Sequence, residues 1–186
     1  MNLQLRVQGT PNPLARKYIL GSTLKAQGRV SYKDPHSCAH IALARALFAL
    51  PGVRQLHFFQ NTLTLSQDGS LAWESLEEQL RCILEDLLES HDPHFPQEAP
   101  GSQATKEKVL EDPALRAIDA ILEEHIRPSL RLDGGDVELE ALEGSVLTLR
   151  YMGACGGCPS AMTGTLEAIR SILQREYHPK LQVVAL

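Results

Sequence analysis

Residues 133–169 read DGGDVELEALEGSVLTLRYMGACGGCPSAMTGTLEAI, and this stretch determines the fold expected for the second half of the chain. Apolar and polar residues alternate in DVELEAL and SVLTLRYM, which predicts two half-buried strands. The Glu-Gly pair between them predicts a hairpin turn. The glycine-rich GACGGC predicts a loop, and residues 159–177 carry apolar residues at helical spacing. Cys155 and Cys158 are therefore expected in a loop between a strand and a helix.

The sequence on either side completes a small domain. Asp112 and Pro113 are typical of a helix start, because the Asp side chain accepts a free backbone N–H and Pro loses no hydrogen bond at the first helical position. Pro128 predicts a kink or stop near the end of that helix. The last residues, LQVVAL, predict a strand. The expected order is helix, strand, strand, CxxC loop, helix, strand.

Residues 1–90 predict a second set of mixed elements. The segments LQLRVQ, KYILG, VRQLHFF and NTLTLS are typical of strands, and residues 39–50 and 73–88 have the apolar spacing of helices. Pro51 and Gly52 are expected to end the first of these helices. The whole chain is predicted to be α+β, with two small mixed α/β domains.

A change in composition separates the two halves. Residues 91–110 contain three prolines and almost no large apolar side chains, which predicts a linker. His91 and His94 fall in this segment and are expected to be solvated. The predicted organisation is a domain over residues 1–90, a linker over 91–110 and a domain over 111–186.

Composition excludes several classes of protein. The 186 residues include 43% hydrophobic residues, which is ordinary for a globular chain, and the net charge of −5 argues against a nucleic-acid binder. No apolar run approaches the roughly 20 residues of a membrane span. The N-terminus shows neither a signal peptide nor the Arg- and Ser-rich pattern of a transit peptide. These features predict a cytoplasmic protein without a membrane or nucleic-acid partner.

The CxxC loop favours the thiolate form, which is the form of cysteine that binds metals and attacks disulfides. Cys158 precedes Pro159 and so lies at or beside a predicted helix N-terminus, where the helix dipole stabilises negative charge by about 0.3–1 kcal/mol. The surrounding glycines remove side chains, which lets both sulfurs turn the same way and leaves room for a bulky cofactor. Cys155 and Cys158 are the candidate metal ligands.

Two cysteines are too few to complete an ordinary metal or iron–sulfur site. Tetrahedral zinc and the common iron–sulfur clusters take four protein ligands. The others could come from Cys38 and Cys82, from a histidine, or from a second copy of the loop in a homodimer. We expect Cys38 to be packed and Cys82 to be exposed, with neither acting as a ligand. A second copy of the loop, supplied by a homodimer, is the most economical source of the missing ligands.

Two other functions for the same motif remain open at this point. A CxxC at a helix start also occurs in dithiol oxidoreductases, although the preceding βαβ pattern of a thioredoxin-like protein is absent here. A structural zinc module, in which the metal only stabilises a dimer, is the second alternative.

Both halves of the chain resemble a known family. LRLDGGDVELEAL (residues 130–142) and GACGGCPSAMTGTLEAIRSIL (residues 153–173) resemble the C-terminal domain of NifU-like iron–sulfur proteins. TPNPLARKYIL (residues 10–20) and HSCAHIALARALFALPGVRQLHFFQNTLTLS (residues 36–66) resemble the Nfu N-terminal domain. The chain therefore resembles a two-domain Nfu protein. Relatives often carry Ser or another small residue at the position of Gly156.

The resemblance implies a carrier rather than an enzyme. Its implied cargo is a [4Fe–4S] cluster held between Cys155 and Cys158 of two protomers in a homodimer. The implied partners are apo iron–sulfur client proteins and cluster-assembly proteins. The N-terminal domain shows no chemical motif, and its expected role is docking to those partners.

Overall fold

The computed structural model describes residues 3–96, 112–157 and 164–186. The chain divides into two compact units, residues 1–100 and 101–186. Each unit combines helices with a sheet, so the predicted α+β class is confirmed. The exact predicted bounds of the domains and linker stay a prediction, because residues 97–111 lie outside the described ranges.

The first unit is built on an antiparallel sheet with the strand order β1-β2-β5-β4-β3. Its strands are β1 (Leu5–Gly9), β2 (Ala15–Leu20), β3 (Lys25–Tyr32), β4 (Val53–Gln60) and β5 (Thr62–Gln67). Four of them match the predicted strands, whereas β3 was not predicted.

Two helices complete the first unit. They are α1 (Ala42–Phe48) and α2 (Trp73–Leu87), and a short 3₁₀ turn over Pro35–Cys38 precedes α1. The helices contribute their apolar stripes to one core with the inward residues of the sheet. The buried helical side chains are Leu43, Ala44, Leu47, Leu76, Leu80 and Leu84.

The first residues of the predicted linker, up to residue 96, pack against the first unit. Phe95 is buried, and its ring lies 6.1 Å from the ring of Phe58 in an edge-to-face arrangement. The ammonium of Lys25 donates to the Phe95 carbonyl at 2.6 Å and lies 4.2 Å from the centre of its ring. His91 is half-buried with Nε2 2.8 Å from the Leu24 carbonyl, so the expectation that it is solvated is wrong. His94 is exposed, as expected.

The second unit begins with two helices separated by a break. The first, α3 (Pro113–His125), starts at the predicted cap, where the Asp112 carboxylate accepts the Ala114 N–H at 2.8 Å. The second, α4 (Arg127–Leu132), carries Pro128 in its first turn, which accounts for the predicted interruption.

The sheet of the second unit has three strands in the order β6-β7-β8. The hairpin β6 (Gly135–Glu143) and β7 (Val146–Gly153) is antiparallel, and β8 (Gln182–Ala185) pairs parallel with β7. A parallel pair needs a crossover connection, and the CxxC loop and α5 (Leu166–Glu176) belong to it. Among the described residues, no helix is long and apolar enough to cross a membrane.

Candidate functional site

The CxxC loop begins where β7 ends. Gly153 closes the strand with φ of 60°, a conformation that favours glycine, and residues Ala154–Gly157 form a 3₁₀ turn. The Ala154 N–H donates to the Gly134 carbonyl at 3.0 Å, and Gly135 lies opposite Gly153 in the strand register. The loop is therefore fastened to the DGGD turn at the start of β6.

The absence of a side chain at Gly135 creates the niche for Cys155. A Cβ atom placed on Gly135 would overlap Cys155 Sγ and would lie 3.0 Å from Cys155 Cβ and 3.2 Å from its backbone nitrogen. Cys155 is only 7% exposed and belongs to the core of the second unit. The glycines predicted room for a bulky cofactor beside the sulfurs, whereas the sulfur of Cys155 is directed inward against the backbone of β6. Cys158, the second predicted ligand, lies outside the described residues.

A buried ion-pair network supports the turn that holds Cys155. Asp136 is fully buried, and its carboxylate accepts the Val137 N–H at 2.7 Å and the Arg131 Nε–H at 3.1 Å. Arg127 Nε lies 3.6 Å from the same carboxylate and donates to the Val137 carbonyl at 3.2 Å. The Asp136 carboxylate therefore binds two arginines in addition to a backbone N–H.

The network continues to the surface through two acidic residues of α3. Arg127 pairs with Asp119 at 2.5 Å and with Glu123 at 3.1 Å, and Arg131 pairs with Glu123 at 2.5 Å. The hydrogen bond from Arg131 and the charges of both arginines lower the pKa of Glu123 to about 2. Since α3, α4 and β6 all contribute, the network fixes the helices to the strand that carries Gly135.

The hydroxyl of Tyr151 is a second polar group near the loop. Tyr151 lies on β7, is 3% exposed, and shares a core with Cys155. In the part of the chain that the structure describes, its hydroxyl oxygen has no hydrogen-bond partner. Burial raises the pKa of Tyr151 to about 12, with a smaller contribution from the charge that Cys155 carries when it is ionised. The hydroxyl is therefore a neutral donor at physiological pH.

The sequence singled out neither Tyr151 nor Gly135. A signal for Gly135 was nevertheless present, because the hairpin register brings one glycine of DGGD opposite the glycine before Ala154. Facing glycines in paired strands mark a place where another group approaches the backbone closely. The Tyr151 hydroxyl gave no such signal, because an aromatic residue in a strand is normally a core residue.

The two cysteines of the first unit have the placements that the sequence predicted. Cys38 is buried and Cys82 is exposed. Burial, with a smaller contribution from the charge of Asp34, raises the pKa of Cys38 to about 11. Among residues 3–96, 112–157 and 164–186, no three His, Cys, Asp or Glu side chains form a metal-binding group.

Alkylation tests the contrast between these cysteines. At pH 8 we expect iodoacetamide to modify Cys82 readily and Cys38 at least about a hundredfold more slowly, because a pKa near 11 instead of 9 leaves about one hundredth of the thiolate. Peptide mass spectrometry of the native protein gives both rates. Denatured protein is the control, in which the two rates should converge. Equal rates in the native protein would contradict the burial of Cys38.

Comparison with family models identifies both units. The model described as "Scaffold protein Nfu/NifU N terminal" matches residues 5–91, and the model described as "NifU-like domain" matches residues 118–184. This order defines a class of two-domain proteins in which an Nfu-type domain precedes a NifU-like domain. The chain belongs to this Nfu/NifU family.

Curated relatives extend over nearly the whole chain. It is 29% identical over 181 residues to a human protein named "NFU1 iron-sulfur cluster scaffold homolog, mitochondrial", covering 97% of this chain and 70% of that protein. It is 30% identical over 176 residues to "NifU-like protein 5, mitochondrial" of Arabidopsis thaliana, covering 91% and 62%. The chain spans less than two thirds of the plant protein and of relatives from several fruit flies.

One solved structure is a NifU-like protein from Saccharomyces cerevisiae, determined by solution NMR. It matches with 25% identity and a TM-score of 0.44, covering 47% of this chain and 80% of that one.

The prediction of a cytoplasmic protein is wrong. The human and Arabidopsis relatives are both named as mitochondrial. The prediction depended on the absence of a targeting pattern at the N-terminus. That absence carries little weight, because targeting segments are removed from mature proteins.

Proposed function

We propose that this protein is an iron–sulfur cluster scaffold and carrier, with Cys155 and Cys158 as the cluster ligands. The observation that supports this proposal most directly is the niche at Gly135, where a cysteine of a CxxC loop packs against β6 and the preceding Ala154 N–H bonds to Gly134. The niche lies within the residues that match the NifU-like domain, and the human relative is named a cluster scaffold.

The chemistry of the loop suits this cargo. Iron–sulfur clusters bind cysteine thiolates, and the hydrogen bonds and solvent exposure of those sulfurs set the properties of the cluster. At Cys155 the sulfur is shielded from solvent and lies against the backbone of Gly135, which carries no side chain. Cys155 Sγ must turn out of this niche to reach a cluster shared with a second protomer.

The number of ligands leads to the dimer proposal. A [4Fe–4S] cluster takes four cysteine ligands, and each loop offers two. Cys38 is buried in the core of the first unit with a raised pKa, which makes it a poor ligand. We therefore propose a [4Fe–4S] cluster bridged between the loops of two protomers.

Delivery follows from this arrangement. A cluster shared between two chains is held only as firmly as the dimer, so an apo-protein that offers more cysteines can replace the ligands one at a time and separate the protomers. The protein then acts as a carrier and not as an enzyme, with apo iron–sulfur proteins as recipients and assembly proteins as donors. The first unit is proposed to dock these partners.

Anaerobic reconstitution tests the proposal. We expect protein supplied with iron and sulfide to bind about four of each per dimer, and native mass spectrometry should show the loaded dimer. Cys155→Ser and Cys158→Ser should each lose the cluster and the dimer. Cys82→Ser is the matched control, because it removes an exposed cysteine and should leave loading unchanged.

The same experiment separates the two alternative functions. A colourless monomer whose Cys155 and Cys158 cycle between dithiol and disulfide would replace the proposal with a dithiol oxidoreductase. Tight zinc that does not exchange, found in freshly purified dimer, would replace it with a structural zinc module.

A further inference from the structure

The loop between β1 and β2 is held in one conformation by its own polar groups. Thr10 Oγ1 donates to the Asn12 carbonyl at 2.9 Å, and Asn12 Oδ1 accepts the Leu14 N–H at 3.0 Å. The Asn12 carbonyl also accepts the Ala15 N–H at 2.9 Å, and Asn12 itself is buried. The loop is therefore a rigid element of the first unit.

This rigid loop presents apolar side chains to solvent. Leu14 is 41% exposed, and Pro13 beside it is exposed as well. The indole N–H of the half-buried Trp73 donates to the Pro13 carbonyl at 3.2 Å, which places its ring beside the loop. A Cβ atom placed on Gly69 would lie 3.5 Å from Leu14 Cδ2, so Leu14 also borders the turn before α2. We refer to Pro13, Leu14 and Trp73 as the Leu14 patch.

The composition and rigidity of the Leu14 patch suit it to bind another protein. A loop that is already fixed loses little conformational entropy when a partner arrives. Trp and Arg are enriched among the residues that contribute most to binding, and the Arg16 guanidinium stacks on Trp73 at 4.8 Å from the ring centre. Leu14 adds apolar surface whose removal from water favours association.

Acidic side chains of α2 border the patch. Glu77 pairs with Arg16 at 2.6 Å, so the charge of Arg16 is compensated within the unit. Glu74 and Glu78 are exposed one turn apart on the same helix, and within the described part of the chain neither forms an ion pair. Like charges four residues apart on a helix repel each other. A cationic group bound between these two carboxylates would relieve that repulsion.

We propose that the Leu14 patch docks a basic segment of a partner protein. One apolar side chain of that segment packs on Leu14 and Trp73, and its Lys or Arg side chains pair with the carboxylates of α2. The docking role rests on the proposed function, in which the first unit binds the proteins that supply or receive the cluster. Charge complementarity of this kind selects among partners and speeds their encounter.

A library of random peptides displayed on phage tests the chemistry of this surface without a known partner. Selection uses the full wild-type chain, and a second selection against Leu14→Asp removes the peptides that bind elsewhere. We expect the peptides that need Leu14 to carry an aliphatic or aromatic residue flanked by Lys or Arg. Acidic peptides, or no peptides that need Leu14, would contradict the proposal.

The affinity of one selected peptide then measures the contribution of each group. Trp73 is the only tryptophan in the sequence, so its fluorescence reports binding of a peptide that lacks tryptophan. We expect Leu14→Ser and Glu78→Lys each to weaken binding about fivefold or more, as the loss of one important interface contact does. Added salt should also weaken binding to the wild type.

Two matched variants serve as controls. Val7→Ser removes a side chain that is 37% exposed on β1 of the same unit, and Glu85→Lys reverses a charge near the other end of α2. Both should bind the peptide as the wild type does, and circular dichroism confirms that all four variants are folded.

The outcomes separate the parts of the proposal. Equal binding by wild type and Leu14→Ser would overturn the docking role of the patch, and equal binding by wild type and Glu78→Lys would overturn the basic character of the partner. Self-association that Leu14→Ser abolishes, without peptide binding, would assign the patch to a second copy of the chain. Because peptide binding requires no cluster, its failure is distinct from a failure to take up iron and sulfide, which would refute the proposed function.

Discussion

The substitution Gly135→Ala is expected to reduce cluster binding to the level of Cys155→Ser. An added methyl group would overlap Cys155 Sγ and would also crowd the cysteine backbone, with its Cβ 3.2 Å from the Cys155 nitrogen. Rotation of the thiol alone cannot relieve both contacts, so the loop must move away from β6. Overpacking of this kind costs roughly 1–3 kcal/mol of stability, which leaves the second unit folded but displaces Cys155.

Iron and sulfide content after anaerobic reconstitution measures this effect, and circular dichroism confirms that the variant is folded. Gly164→Ala is the matched control, because it adds the same methyl group in the same unit with no atom within 4 Å of the new Cβ. The control should load normally. Full loading of Gly135→Ala would show that the close contact with Cys155 has no importance for the site.

The substitution Asp136→Asn is expected to destabilise the second unit by about 3 kcal/mol. Breaking a buried ion pair typically costs 3–5 kcal/mol, because the remaining charge stays buried without its partner. The lower end applies here, since Arg127 keeps Asp119 and Glu123 as partners. The amide retains an oxygen for the Val137 N–H, so the charge is the main loss.

Urea unfolding measures the stability change, and amide hydrogen exchange in β6 and β7 shows where it occurs. The control is Asp119→Asn, which removes a partner of Arg127 that is 39% exposed and should cost less than about 1 kcal/mol. If the two variants are equally stable, the burial of Asp136 adds nothing to the network.

The sequence correctly predicted the strands and helices that form from a local pattern of apolar and polar residues. The segments of β1, β6 and β7 show the alternation of apolar and polar residues, α2 has a clear apolar stripe, and Asp112 caps α3 as expected. Cys155 and Cys158 were identified as candidate ligands from their spacing alone, and their role as ligands remains a prediction.

Strand β3 was missed because its pattern depends on distant residues. Its sequence, KAQGRVSY, is mostly polar, and its pairing with β4 shifts register between Lys25 and Arg29. Lys25 is nevertheless buried, because its ammonium bonds to the carbonyl of Phe95, seventy residues later in the chain. Phe95 stands among prolines, and its contacts with Lys25 and Phe58 are with residues far earlier in the chain, so the local sequence predicted a linker there.

Local sequence patterns also could not predict the residues that support the CxxC loop. Asp136 in DGGD reads as an ordinary turn residue, since its two arginines belong to a helix that precedes it. The niche at Gly135 needs both the hairpin register and the inward direction of the Cys155 side chain. Local sequence patterns therefore located the loop, whereas three-dimensional contacts define what holds it.

The burial of Cys155 also has a consequence for the protein in the presence of oxidants. Peroxide attacks an accessible thiolate and converts it through sulfenic acid to forms that cannot be recovered. With 7% of its surface exposed, Cys155 is shielded from peroxide, whereas Cys82 is open to attack. Under the proposed function, oxidative stress should leave this proposed ligand intact.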